Sequence, residues 1–295
     1  MKYRNANLAE GAMPTIAEKR KNFHALHAKG CFVIPNPWDI GSARWLQGLG
    51  FKALASTSSG FAWSQGFPDN RVRREMVLSH LSQLVDATDV PINADFEGGF
   101  APDPAGVAES VMLAVETGVA GLSIEDSTGD REKPLYEIGQ ATDRIRAARA
   151  AIDKSGGDTL LVGRAECFLV GQPDIDEVIA RLKAYAGAGA DCLYSPGLIK
   201  PEQISAVVKA VAPKPFNLLI GAPIGLSVSD VEKLGVRRIS VGGALARSAW
   251  GGFMRMAKQI AEDGRFDGFA DAAAGGELNK FFHQDQKQRG QGDSA

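Results

Sequence analysis

The chain is sparing with the residues that build disulfide frameworks and zinc centres. Its 295 residues include three cysteines and four histidines. Cys31, Cys167 and Cys192 stand far apart, match no metal-ligand or redox spacing, and read as small buried residues near strands. Long apolar runs are missing as well. None approaches the ~20 residues of a membrane-spanning helix, and no apolar segment follows Lys2 and Arg4 as in a secretory leader. A soluble, cytoplasmic protein with no membrane partner is expected. The formal net charge of −2 lacks the basic surplus that phosphate backbones select, which argues against nucleic acid as a partner. Two nucleotide signatures are also absent: no G-x-G-x-x-G follows the first strand-like run, and no G-x-x-x-x-G-K-[ST] occurs anywhere.

What the chain does have is ordinary globular composition, 44% hydrophobic and 23% charged, with a surplus of glycine at 34 residues. Apolar, β-branched-rich runs recur at 31–36, 52–57, 91–97, 121–126, 159–166, 192–196, 215–221 and 237–242. Helical stripes lie between them. Ile40, Ala43, Leu46 and Leu49 form one, and Val77, Leu81, Leu84 and Val85 a second. Val107, Val111, Ala114 and Val115 form a third, and Val178, Leu182 and Tyr185 a fourth. In LGFKAL (49–54), TGVAGLSI (117–124) and GAGADCLY (187–194), a glycine ends a helix and the chain turns straight into a strand. Strict alternation of strand and helix means a parallel sheet. Eight units in a chain of this length predict an α/β fold, a closed (β/α)8 TIM barrel, ahead of an open Rossmann-like sheet. The expected organisation is a polar arm over 1–20, the barrel over 21–263, a helical extension over 264–285 and a disordered tail over 286–295.

Barrel enzymes work at the C-terminal ends of their strands. Here strand 1 runs into Asn36, Pro37, Trp38 and Asp39, and strand 2 into Ser56, Thr57, Ser58, Ser59 and Gly60. Asp95 and Glu97 end strand 3, Glu125 and Asp126 strand 4, Arg164 and Glu166 strand 5. Strand 7 carries Asn217, and strand 8 ends in Gly242 and Gly243. Carboxylates on three successive strands converge on one small volume and call for a cation. Oxygen ligands with no histidine or cysteine beside them select Mg²⁺ or Mn²⁺ over Zn²⁺. The alternative is a salt-bridge network in which Arg164 and nearby lysines neutralise the acids. Asp95 and Glu97, two apart on an extended backbone, point to one side, and Gly98 and Gly99 leave room for metal and substrate to approach. The serine turn is either a plain loop or, beside a metal and Arg164, a clamp for a carboxylate. Such a site suits a small 2-oxo or 2-hydroxy acid, with the metal as Lewis acid beside an enolate.

The motifs NPWD (36–39), STSSG (56–60), GFPD (66–69), DFEGG (95–99), IED (124–126), GRAE (163–166) and FNLLIG (216–221) carry a resemblance. Over residues 20–260 the chain resembles the isocitrate lyase/phosphoenolpyruvate mutase superfamily, Mg²⁺-dependent barrels that break or form C–C or P–C bonds next to a pyruvate enolate. The resemblance implies Asp95 as direct metal ligand, with Glu97, Glu125 and Asp69 holding metal-bound waters. It implies Ser56, Thr57 and Ser58 around the substrate carboxylate, Arg164 on substrate oxygens and Asn217 in the pocket, with Trp38, Asp39 and Gly242 completing the substrate rim. Arg164, Glu125 and Lys133 are the candidate catalytic residues. It also implies a homotetramer, a dimer of dimers that exchange the helix at 244–263, with Phe266, Phe269, Phe281 and Phe282 packing across an interface.

Two departures bear on the reaction. The lyases carry Lys-(Lys/Arg)-Cys-Gly-His in a loop after strand 4, where this chain has STGDREKPLYEI (127–138). That stretch has no cysteine or histidine, and only Asp126 and Lys133-Pro134 echo the mutase loop. Lys133, Glu132 and Tyr136 are the proton donors it offers. Ile220 stands where the lyases commonly place a strand-7 glutamate. The expected function is a Mg²⁺-dependent lyase of a small di- or tricarboxylate, methylisocitrate-like or oxaloacetate-like. A phosphonomutase or phosphonate hydrolase comes second, and a barrel that binds such acids without turnover comes third.

Overall fold

A computed structural model describes residues 13–290. The expected 1–20 arm lies outside them as far as residue 12, and its remainder enters a helix. This helix, α1 (Ile16–Ala28), starts at a Thr15–Glu18 capping box. After it come β1 (Phe32–Ile34), α2 (Ile40–Gly48), β2 (Leu54–Ala55), α3 (Ser58–Ser64) and α4 (Arg74–Ala87). The middle of the chain holds β3 (Ile92–Asp95), α5 (Pro104–Glu116), β4 (Gly121–Glu125), α6 (Ile138–Lys154), β5 (Leu160–Arg164) and α7 (Ile175–Gly187). Then follow β6 (Cys192–Tyr194), α8 (Pro201–Val211), β7 (Phe216–Leu219), α9 (Val228–Lys233) and β8 (Arg238–Ser240). Last come α10 (Ala244–Asp263), a 3-10 turn at Asp267–Asp271 and α11 (Gly275–Gln288).

All eight expected strands form, and all pair in parallel in the order β1-β8-β7-β6-β5-β4-β3-β2. The fold is a (β/α)8 barrel. Its last seam, between β1 and β2, has no ladder. Ala55 N–H donates to Pro35 O at 3.1 Å, and the buried Asn36 does the rest. Asn36 donates to Ser56 O at 2.8 Å and accepts from Val241 and Gly242 N–H at 2.9 Å each, tying the ends of β1, β2 and β8 together.

Two cores follow from the two faces of the sheet. Outward residues such as Leu54, Ile92, Leu122, Leu161 and Leu218 pack under the helices, whose stripes at Val77/Leu81/Leu84, Val107/Val111/Ala114 and Val178/Leu182/Tyr185 are buried as expected. The α2 stripe is narrower than expected: Ala43 and Leu46 are buried, while Ile40 and Leu49, at the two helix ends, are exposed. Inward residues Ile34, Ala53, Ala55, Leu160, Val162 and Tyr194 fill the lumen, and Phe23 of α1 plugs its lower end. Cys167 and Cys192 are buried and Cys31 partly so. No helix among the described residues is long and apolar enough to cross a membrane.

The C-terminal elements depart from a barrel wall. Of the 20 residues of α10 only Ala246 is buried, and Phe253 and Met254 are each 61% exposed. By contrast α11 returns to the barrel. Phe281 packs on the Trp45 ring at 4.6 Å and on Gly48, where a Cβ would lie 2.5 Å from the Phe281 ring. Buried Asp285 accepts from Arg44 Nε through both oxygens. Phe281 thus serves a contact within the chain, whereas Phe266 and Phe269 stay exposed. The helix continues to Gln288, three residues into the expected tail, and residues 291–295 lie outside the described range.

Two buried histidines give the fold an acid-sensitive component. Burial, with Arg238 beside it, holds His27 down to about 3, and burial holds His80, stacked on Phe61, down to about 4. The His27 ring is neutral, its Nδ1 donating to Phe23 O at 2.8 Å. The unfolded chain binds protons below about 6.5 that the folded chain refuses. The contribution is therefore complete above about 6.5 and is lost as pH falls towards 4 and 3. Buried acids at the upper rim carry the opposite sign, so the readout is a variant difference. Urea unfolding of wild type against His27→Gln should show the wild type losing about 1.4 kcal/mol more per pH unit below pH 6. A difference independent of pH would refute it.

Candidate active site

The strand register explains why the acids gather. Asp95, Glu125, Arg164 and Tyr194 all end their strands facing the lumen. The ladder pairs Glu125 with Arg164 and Arg164 with Tyr194 as direct neighbours. At the centre stands the Arg164 guanidinium. Its Nε donates to Glu166 at 2.5 Å, while Nη1 lies 3.2 Å from both Asp95 Oδ1 and Glu125 Oε2. Its carbon sits 4.9 Å from the Tyr194 ring centroid.

The serine turn holds Asp95 in place. Ser58 N–H donates to Asp95 Oδ2 at 2.9 Å, and Asp95 N–H donates to Ser56 Oγ at 2.9 Å. Thr57 caps the short helix α3 through Gly60 N–H and touches Ser59 Oγ at 3.2 Å. The turn expected as a substrate clamp is therefore first a bracket for Asp95. The α3 helix itself escapes a sequence reading, since a turn of seven residues shows no period.

Negative charge outnumbers positive here. Five carboxylates, Asp69, Asp95, Glu97, Glu125 and Glu166, influence one another around the single Arg164. Burial, reinforced by Asp95 and Asp69, pushes Glu97 up to about 8. Burial also raises Glu125 well above the usual range, against the pull of Arg164, and raises Glu166 in the same way. Desolvation and then Asp95 raise Asp69, which lies on the surface loop after α3. Desolvation is the first cause of each of these shifts, and the pull of Arg164 does not offset it.

Several expected roles change. Among the described residues no three carboxylate, imidazole or thiol groups converge closely enough to hold an ion between them. Asp95, Glu97, Glu125 and Asp69 thus form no closed cage, because Arg164 lies between Asp95 and Glu125. Glu97 is not on the strand: β3 stops at Asp95, and Glu97 takes a left-handed φ of 49°. Gly98 and Gly99 leave room for the protein rather than a metal. A Cβ would come within 3.2 Å of Arg144 Nη2 at Gly98 and of Ile124 and Val107 at Gly99.

Asn217 is fully buried, donating to Ser240 Oγ and accepting from Arg238, so it lies inside the barrel and not in the pocket. The N–H of Gly242 is occupied by Asn36. Asp39 is exposed and caps α2 through Ser42 N–H, while Trp38 is half-buried with its Cβ near Gly60. Lys133 is exposed on a hairpin pinned by a Ser127–Leu135 bridge, and its backbone oxygen accepts from Thr128. Residues missed as anchors are Asn36 and Asp126. Buried Asp126 accepts from Glu166 N–H at 2.8 Å, Tyr185 OH at 2.5 Å and Arg181 at 3.0 Å. The pairing of Glu166 with Arg164 could have been read from the i, i+2 spacing at a strand end.

The chain is similar to known proteins over most of its length. A profile of the family described as phosphoenolpyruvate phosphomutase matches residues 23–261. An oxaloacetate decarboxylase of Paraburkholderia xenovorans is 31% identical over 75% of this chain and 74% of its own. A 2-methylisocitrate lyase of Escherichia coli is 31% identical over 50% of this chain and 51% of its own. Among solved structures, a Burkholderia cenocepacia protein described as a lyase/mutase is 45% identical with a TM-score of 0.87, covering 90% of this chain and 97% of that one. The chain belongs to the phosphoenolpyruvate phosphomutase family, within the isocitrate lyase/phosphoenolpyruvate mutase superfamily.

Proposed function

We propose that the protein is a Mg²⁺-dependent carbon–carbon lyase of a small 2-oxo dicarboxylate, oxaloacetate-like, acting through an enolate. The observation that carries this reading is the excess of buried carboxylates around Arg164 at the C-terminal rim. A hard dication fits that oxygen-only donor set. The lack of three converging acids fits an ion that keeps several waters and takes one or two carboxylates directly. Asp95, bracketed by the serine turn, is the direct ligand in this reading, and Glu97, Glu125 and Asp69 hold its waters. When bound, Mg²⁺ supplies a Lewis acid for the 2-oxo oxygen and the charge that develops there.

The chain's own residues do the rest. Arg164 has Nε and Nη1 committed to acids, so its Nη2 edge remains for a substrate carboxylate. The 127–138 hairpin has no thiol or imidazole to protonate a leaving carbanion. Loss of CO2 asks least of it. The C–C bond breaks with its electron pair kept by the substrate, CO2 departs neutral, and the enolate carbon later takes a proton from water. Methylisocitrate-like cleavage demands more of the same hairpin, with Lys133 or Tyr136 as the donor.

For assembly we propose the homotetramer of exchanged α10 helices. An open apolar groove of about 660 Å³ runs between Trp63–Pro68 and Arg247–Met254, continuous with the exposed face of α10. Light scattering should give four times the 31.3 kDa chain mass, and Phe253→Glu with Met254→Glu should lower it. A wild-type monomer at micromolar concentration would refute the assembly.

Three further outcomes test the metal site and the activity. Oxalate, a planar mimic of the enolate, should raise the melting temperature with Mg²⁺ and not in EDTA, and Asp95→Ala should abolish Mg²⁺ uptake by calorimetry. Equal shifts in EDTA, or unchanged uptake by Asp95→Ala, would remove the metal site. A pyruvate-release screen with Mg²⁺ should show turnover of oxaloacetate above methylisocitrate, dimethylmalate and phosphonopyruvate. Turnover of phosphonopyruvate alone would favour the second reading, P–C chemistry, which the family match supports.

A further inference from the structure

Arg144, on α6, is 1% exposed and makes no ion pair among the described residues. Its Nε is buried without a hydrogen-bond partner among them. A buried cation with no carboxylate is a costly way to fill the space between helix and sheet, where an apolar side chain serves as well. What the guanidinium does instead is collect carbonyls. Nη2 donates to Gly98 O, and Nη1 donates to Ala101 O and, at 2.8 Å, to Pro102 O. A lysine offers one point of charge, whereas the planar fork of an arginine spans all three.

These carbonyls belong to the turn that carries Glu97. Three of the four residues from Glu97 to Phe100 are left-handed: Glu97 at φ 49°, Gly99 at 73° and Phe100 at 57°. Two of the three are not glycine, so local preference does not hold the turn in shape. Contacts hold it from two sides. On the sheet side, Glu125 N–H donates to Glu97 O at 3.0 Å. On the helix side, Arg144 takes the next carbonyl, that of Gly98. Glycine is what lets the guanidinium approach there, since a Cβ at Gly98 would lie 3.2 Å from Nη2. The Glu97 side chain leaves this turn among Asp95, Asp69 and Arg164, whose charges act on it.

We propose that Arg144 is a positioning residue for Glu97: it holds the left-handed turn in the shape that presents this carboxylate to the metal site. This rests on the metal reading above. Arg144 acts on the ion only through Glu97, so the test is a double-mutant cycle read by Mg²⁺ affinity in calorimetry, with no turnover needed. Arg144→Met should weaken Mg²⁺ binding about ten-fold, as loss of an outer partner of a ligand does, and Glu97→Gln should weaken it by a similar factor. Made in the Glu97→Gln background, Arg144→Met should weaken it no further. Losses that multiply to about a hundred-fold in the double variant would show Arg144 acting on the rim at large. Unchanged affinity in a folded Arg144→Met would show it serving stability alone. Either result overturns the proposal, and so does unchanged affinity in Glu97→Gln. Should Arg144→Met fail to fold, Gly98→Ala decides, because its methyl displaces Nη2 and leaves every charged group in the chain. It should weaken Mg²⁺ binding about three-fold when Glu97 is present and not in the Glu97→Gln background; no effect in either background overturns the proposal. Wild-type protein that takes up no Mg²⁺ removes the metal reading and this inference together, whereas Mg²⁺ uptake indifferent to both variants removes the inference alone.

Discussion

The rim of the barrel depends on one guanidinium. Arg164 meets Glu166, Asp95 and Glu125 and lies over Tyr194, with only 14% of its side chain exposed. Charges this buried lose hydration, and removing any one leaves its partners uncompensated. The contact exists because three adjacent strands all end in an inward residue, with Glu125 directly opposite Arg164 and Asp95 opposite Ser123, one inward step before Glu125. A slip of a single residue in any of them would turn its acid or its arginine to the outer, apolar face. Strand register and site chemistry are thus one constraint.

Closure of the barrel serves the same end. The β1–β2 seam lacks a ladder, so Asn36 supplies the bonds that hold the ends of β1, β2 and β8 level. Ser56, whose carbonyl Asn36 grips, is also the residue whose hydroxyl accepts from Asp95 N–H. The seam and the acid at the centre of the rim therefore share a residue. On the next strands Asp126 plays a similar part, joining Glu166 N–H to Arg181 and Tyr185 of α7. Both anchors are small buried polar side chains with hydrogen-bond partners, the condition under which a buried polar group stabilises rather than costs.

The sequence was most legible where a long-range pattern repeats. Eight apolar runs alternating with helical stripes leave one economical fold, and alternation along each run says which acids face inward. Legibility failed where geometry turns on local events. Nothing in DFEGG announces that the backbone reverses hand at Glu97, because non-glycine residues rarely do so. Asn217 read as a pocket residue since it lies near a strand end. The short β7 instead sets it level with Arg238, a buried cation in need of acceptors. The docking of α11 was hidden for another reason: its anchor, Asp285, is a charged residue in a polar stretch, and its partner Arg44 is far away in sequence.

The contrast between rim and hairpin explains why the family can be read more readily than the substrate. Three of the rim acids are fixed by something else in the fold: Asp95 by Arg164 and the serine turn, Glu125 by Arg164, and Glu166 by Arg164 and by Asp126, which accepts from its N–H. The hairpin at 127–138 is fixed at its root, where Asp126 and Arg181 hold Tyr136, while Gly129 to Lys133 at its tip are exposed. No packing restrains the choice of residues at that tip. It can exchange a cysteine for a lysine without cost to the barrel, whereas Arg164 cannot be exchanged without stranding three carboxylates. The charged rim around Arg164 is therefore built into the fold. The hairpin tip beside it is a segment that the fold constrains little.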